Sequence, residues 1–221
     1  MDFTNDSYLT LAAPAYGEFR DRGSKFLAYA FPISETEAVA EHLQQLRQEH
    51  LKARHYCYAY RIGLDKNNFR ANDDGEPSNS AGRPILGQID SAGLTNTLVV
   101  VVRYFGGTKL GVPGLINAYK SSTAAALDSA QIVERHLRQY YRLSFTYAHM
   151  NKLMQAINAL GFTMHQQEFT DSSAQVEVSI RWREAAPALR QLKATMAGVY
   201  LEQVDELEEI VGLQIEELAL K

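Results

Sequence analysis

The segment Arg103-Tyr104-Phe105-Gly106-Gly107-Thr108-Lys109-Leu110-Gly111-Val112-Pro113-Gly114 sets four glycines and two cations between an apolar run and a helix-like stretch. Glycine permits positive φ and close backbone approach, and a helix N-terminus offers unpaired amides with partial positive charge. Gly106, Gly107, Gly111 and Gly114 would clear the backbone, while Arg103 and Lys109 supply full charges. These are the parts of a phosphate or anion site. The plain alternative is a tight strand-to-helix crossover that uses glycine for steric reasons alone. The spacing is neither a P-loop nor the GxGxxG fingerprint.

A second segment, Asp73-Asp74-Gly75-Glu76-Pro77 through Ala81-Gly82-Arg83-Pro84, places three carboxylates within four residues. Asp73, Asp74 and Glu76 could hold a magnesium ion against a substrate phosphate. No partner ligand stands elsewhere, and Asp-Gly and Glu-Pro are ordinary turn chemistry, so a turn is expected. Ser80 is expected to cap a helix starting near Ala81. In Arg54-His55-Tyr56-Cys57, His55 and Cys57 share one strand face. A nucleophilic pair needs an orienting third group, and none stands out. Cys57 therefore reads as a small buried hydrophobe. Tyr56, Tyr58 and Tyr60 on the other face suit core packing or helix cover better than stacking on bases. His136, His149 and His165 have no spaced ligand partner. No metal site, no catalytic residue and no cofactor is implied.

These segments need elements to position them. Glu18 to Phe31, broken at Gly23 and Pro32, predicts a strand pair. Ser34 with Glu37 forms a candidate capping box for an amphipathic helix over residues 35–50 carrying Val39, Leu43 and Leu46. Residues 54–62 predict a strand, residues 63–82 a long polar loop, and residues 97–105 a central strand covered on both faces. Residues 113–132 predict a helix, with Pro113 in its first turn. Beyond His136 the pattern becomes strand 140–147, helix 150–160, strands 162–169 and 174–182, helix 184–196 stopped by Gly198, and strand 199–204. That β-α-β-β-α-β order is the split βαβ unit of ferredoxin-like domains. The tail beyond Asp205 mixes acids with Leu207, Ile210, Val211, Leu213 and Ile215, a pattern that leaves strand and helix both open. Two domains are expected, 1–136 and 137–221.

The 221 residues suffice for a core without disulfides, and the lone Cys57 excludes an internal one. No apolar run approaches the roughly 20 residues of a membrane span. The acidic N-terminus, with Asp2 and Asp6, is unlike a signal peptide, so a cytoplasmic location and no membrane partner are expected. The net charge is −4, yet residues 52–120 hold nine Lys/Arg against five acids, while residues 202–217 hold seven acids and no base. An anionic partner should meet the middle of the chain.

Taken together, Ala53-Arg54-His55, Asp73-Asp74-Gly75-Glu76-Pro77, Ala81-Gly82-Arg83-Pro84 and Val102-Arg103-Tyr104-Phe105-Gly106-Gly107 with Leu110-Gly111 resemble the IMPACT family, in particular its bacterial YigZ-type members. The motifs cover residues 16–130. Asn79-Ser80 stands where Gly-Thr is common, and Tyr56 where a second histidine is common. The second departure weakens a histidine pair as base or ligand. The resemblance implies an α+β fold: a ribosomal-protein-S5-domain-2-like domain followed by a ferredoxin-like domain similar to the last domain of elongation factor G. Relatives of the first fold include ribosomal proteins and GHMP kinases. Eukaryotic members act in translational control through a further N-terminal domain, so that role is not expected of these residues. The expectation is a non-enzymatic, translation-associated protein that binds RNA, the ribosome or another phosphate-bearing partner. Arg54, His55, Asp73, Asp74, Glu76 and Arg83 are expected to join the glycine segment in that contact. The alternatives are a nucleotide-dependent phosphotransferase or hydrolase, and an adaptor for a translation factor or other protein that uses the acidic second domain.

Overall fold

The computed structural model describes residues 6–65, 67–206 and 209–220. The chain divides into two compact units between Arg135 and His136.

The first unit contains β1 (Ser7–Leu11), β2 (Ala15–Asp21), β3 (Ser24–Pro32), α1 (Glu37–Glu49), β4 (His55–Ile62), β5 (Asn68–Asn72), α2 (Gly82–Ser91), β6 (Thr97–Tyr104), α3 (Gly111–Asp128) and β7 (Ile132–His136). Five strands form an antiparallel sheet in the order β2-β3-β6-β4-β5, and β1 pairs with β7 apart from it. The run Leu98 to Val102 is wholly buried because both sheet faces are covered. Val99 and Val101 join Phe26, Ala28, Cys57 and Ala59 under α2 and α3. Leu98, Val100 and Val102 join Tyr56, Tyr58 and Tyr60 beneath α1, packed on Val39 and Leu46. The three tyrosines are thus helix cover and present no stacking face.

Four local expectations fail for physical reasons. The capping box at Ser34 does not form; the helix starts after Thr36, and no side chain caps its amides. The loop over 63–82 contains β5, a mostly exposed five-residue edge strand whose only apolar residues, Phe69 and Ala71, are too few to stand out from the polar stretch around them. The helix at 113 starts two residues earlier and ends at Asp128, because the β-branched pair Ile132-Val133 turns back as β7. Ser80 does not cap α2; its hydroxyl donates to the Pro77 carbonyl.

The second unit comprises β8 (Arg138–Thr146), α4 (Met150–Ala159), β9 (Thr163–Phe169), β10 (Ser173–Arg181), α5 (Trp182–Ala197) and β11 (Leu213–Leu220). Its antiparallel sheet has the order β11-β8-β10-β9, the arrangement of a split βαβ unit. Tyr141, Leu143, Phe145, Val176, Val178 and Ile180 alternate inward against α4 and α5. Gly198 ends α5 in the left-handed region at φ 74°, as a C-capping glycine should. The expected strand over 199–204 is instead a 3-10 turn, Leu201–Glu206. The acidic tail supplies the closing strand: Glu216 lies opposite Arg142 and accepts from its guanidinium at 2.9 Å. Leu207, part of that tail, lies outside the described residues. The α+β class expected from the resemblance is the class observed.

Candidate functional site

The functional candidates converge because of strand direction. β6 ends where β4 begins, so Arg103 pairs across the ladder with His55 on one side and Phe26 on the other. The hairpin at Arg22-Gly23, the turn at 73–76 and the glycine segment all meet this end of the five-stranded sheet.

Arg103 faces the same side as Val99 and Val101, so its side chain enters the space between sheet and helices rather than solvent. It is 6% exposed, and its Nη1 donates to Glu76 Oε1 at 2.5 Å. The Glu76 side chain is 4% exposed, and its Oε1 also accepts from the Tyr119 hydroxyl at 2.8 Å. The Arg103 guanidinium lies over the Phe26 ring at 5.4 Å and the Phe105 ring at 5.7 Å. Its Nε is buried with no acceptor. Two charges taken out of water are costly unless they neutralise each other, so Arg103 and Glu76 are committed to one another. Cys57 Sγ sits 3.2 Å from Tyr119 Oη and 3.0 Å from the Asp73 carbonyl, either of which can take its proton. Burial pushes the Cys57 thiol well above its ordinary range, and burial likewise raises the Tyr119 hydroxyl. His55 Nδ1–H donates to the Asp74 carbonyl at 2.9 Å rather than turning to Cys57.

The remaining acids are also occupied. Asp73 Oδ1 accepts from the amides of Ala81 and Gly82 at 2.9 and 2.8 Å, and Oδ2 from the Asn79 amide at 2.8 Å. The N-terminus of α2 is therefore capped by the chain's own carboxylate eight residues upstream, a connection that the Ser80 reading missed. Asp74 Oδ2 accepts from the Tyr56 amide at 2.7 Å, and Arg47 reaches Oδ1 at 3.3 Å. Among the described residues no group of three His, Cys, Asp or Glu is placed to hold a metal. Asp73→Ala strands these amides and is expected to cost about 2 kcal/mol, read as a lower urea midpoint at unchanged m-value.

The glycine segment is laid out on the surface. Phe105 to Lys109 are exposed, and Gly111, with φ +72°, opens α3, whose first turn contains Gly114 and no side-chain cap. Gly106 donates its amide to Ser24 Oγ at 3.1 Å, and a Cβ there would stand 1.9 Å from the Gly23 carbonyl carbon. The expected cations separate into two groups. Arg103 is internal. Arg54, Arg83 and Lys109 are exposed, and among the described residues no hydrogen bond or ion pair engages them. The Gly23–Gly106 contact adds a residue that sequence reading missed: Arg22, exposed at φ 44° in the turn beside the loop. Nothing in the local sequence marks it, since its role depends on a contact more than 80 residues away along the chain. Asp21 on the same hairpin is the opposing charge. Lys66, one of the nine cations of the basic stretch, lies outside the described residues. Among the described residues no helix is long and apolar enough to cross a membrane.

The Impact N-terminal domain profile matches residues 22–127, from the Arg22 turn to the last residues of α3. The Bacillus subtilis IMPACT family member YvyE is 34% identical over 166 residues, 75% of this chain and 76% of that protein. The Escherichia coli IMPACT family member YigZ is 36% identical over 124 residues, 55% of this chain and 61% of that protein. Among solved structures, a crystal structure described as a hypothetical protein superposes with a TM-score of 0.69 at 25% identity, covering 97% of this chain and 98% of that one. The matched profile thus begins and ends on the elements that build this sheet end, and the YvyE match extends over most of both chains: the chain belongs to the IMPACT family.

Proposed function

We propose that this protein is a non-enzymatic, translation-associated binding protein that engages RNA, the ribosome or another phosphate-bearing partner at the β6–α3 end of its first unit. One observation carries the reading. The acids of the 73–76 turn are engaged by the protein's own donors, while the exposed side chains of Arg22, Arg54, Arg83 and Lys109 have no hydrogen-bond or ion-pair partner among the described residues. Glu76 is balanced by Arg103 and Asp74 by Arg47, and Asp73 is turned onto the amides at the start of α2, so these four cations are left to meet an anionic partner although the whole molecule is acidic. The uncapped start of α3 adds its partial positive charge beside Lys109. The family resemblance implies translational control for eukaryotic members, which supports the translation-associated part of this reading; it does not locate the partner, since those members act through a further N-terminal domain. Similarity of the second unit to the last domain of elongation factor G, implied by the family resemblance, is part of the same proposal.

The test is a titration of the full chain with structured RNA and with ribosomes at several salt concentrations. Binding should weaken linearly on logarithmic axes as salt rises, because each neutralised phosphate releases counterions. Lys109→Ala should reduce the magnitude of that slope by about one and weaken binding across RNA sequences alike. Binding no more salt-dependent than that of an acidic control protein ends the reading.

A further inference from the structure

An aromatic ring sits at the centre of this basic end. Phe105 is 54% exposed, directly after β6 and directly before Gly106. One of its faces is occupied by the Arg103 guanidinium, 5.7 Å from the ring centroid. The arginine is itself fixed from behind by Glu76 and by the Phe26 ring. The next residue is also held, because Gly106 bonds Ser24 and abuts the Gly23 backbone. The ring is thus backed by a buried cation, pinned through its neighbour, and open to solvent on the rest of its surface. A cation over one face withdraws electron density from the ring and favours an electron-rich π-system on the other. Two exposed cations lie on the adjoining segments: Lys109 four residues on in the same loop, and Arg22 next to Gly23, whose backbone abuts Gly106.

We infer that Phe105 is a stacking platform for an unpaired nucleobase, and that the ligand of this end is single-stranded nucleic acid rather than duplex. The inference rests on the phosphate-binding reading above and narrows it. A duplex hides its base faces, whereas an unpaired strand can lay one base on Phe105 while its phosphates lie against Lys109 and Arg22. The competing occupant is an apolar protein segment, since Val112 and Ile116, one turn apart on α3, are also exposed. The adjoining charge favours the nucleic acid.

The experiment compares an unstructured single-stranded RNA oligonucleotide with a blunt RNA duplex of the same length, using the full chain and its Phe105→Ala, Phe105→Leu and Phe105→Trp variants. The expected result is a roughly tenfold or greater rise in Kd for the single strand with both Ala and Leu, near-normal binding with Trp, and little change for the duplex. The Trp variant should also show quenched indole fluorescence on adding the single strand, against the constant signal of Trp182. Leu binding like the wild type, or all variants losing both RNAs equally, overturns the stacking role while leaving the phosphate reading intact. Wild-type protein that binds neither RNA in a salt-dependent way removes both.

Discussion

Glu76→Ala is expected to lower the unfolding free energy by about 3–5 kcal/mol, the scale of leaving one member of a buried ion pair without its partner. Arg103 has no alternative acid: Asp73 is engaged by three amides, and Asp74 by Tyr56 and Arg47. Arg103 is 6% exposed in the intact site, and its Nε is already unmet. The Tyr119 hydroxyl would lose its acceptor as well. Urea unfolding followed by circular dichroism reads the loss directly. Glu76→Gln separates the contributions, since it keeps an oxygen for Tyr119 and removes only the charge. The double variant Glu76→Met with Arg103→Met should recover most of the stability, because a dry pair is costly to break and cheap to replace by apolar groups. A Glu76→Ala protein within about 1 kcal/mol of wild type would mean that water reaches Arg103 and that the pair is not structurally closed. The double variant also bears on function: with its backing cation gone, Phe105 should lose its fixed orientation before the fold loses its stability.

Which features were legible in the sequence follows a physical division. Buried periodic elements announce themselves, as Leu98 to Val102 did by being apolar without interruption and β8 by strict alternation. Exposed edges do not. β5 and β11 carry Asn, Arg, Gln and Glu on their solvent sides, and their pairing is decided by ladder hydrogen bonds and by cross-strand contacts such as Arg142 with Glu216. The same division runs through the site. The glycines and cations of the 103–114 segment were readable as chemistry, because their types are unusual at that spacing. Their direction was not. Arg103 turns inward because strand parity puts it on the face of Val99 and Val101, and because a glutamate 27 residues earlier in the chain is delivered there by a turn. Arg22 enters the site through a backbone contact that leaves no local trace except the glycine at each end of it.

Gly106→Ala is expected to be the most damaging single-methyl change in the first unit's binding end, costing about 3 kcal/mol or more and abolishing partner binding at the loop. An added Cβ would lie 1.9 Å from the Gly23 carbonyl carbon, 2.1 Å from the Ser24 nitrogen and 2.3 Å from the Gly23 oxygen. All three are backbone atoms of the β2–β3 hairpin, so no rotamer change relieves the overlap. Either the hairpin or the loop must move, and the movement separates the Arg22-Gly23 turn from the loop while breaking the Gly106–Ser24 bond. The neighbouring glycine provides the control. Gly107 has φ +90°, but nothing lies within 4 Å of a Cβ built there. Gly107→Ala therefore meets backbone strain alone, about 1–2 kcal/mol, with the hairpin undisturbed. The pair of variants separates two explanations of the glycines. If the loop needs only conformational freedom, both substitutions act alike on stability and binding. If it needs the hairpin and the start of α3 held against each other, Gly106→Ala alone removes salt-dependent binding, and Gly107→Ala retains it at reduced stability. The 1.9 Å contact argues for the second outcome, because the steric demand at Gly106 comes from a different strand pair and not from the turn itself.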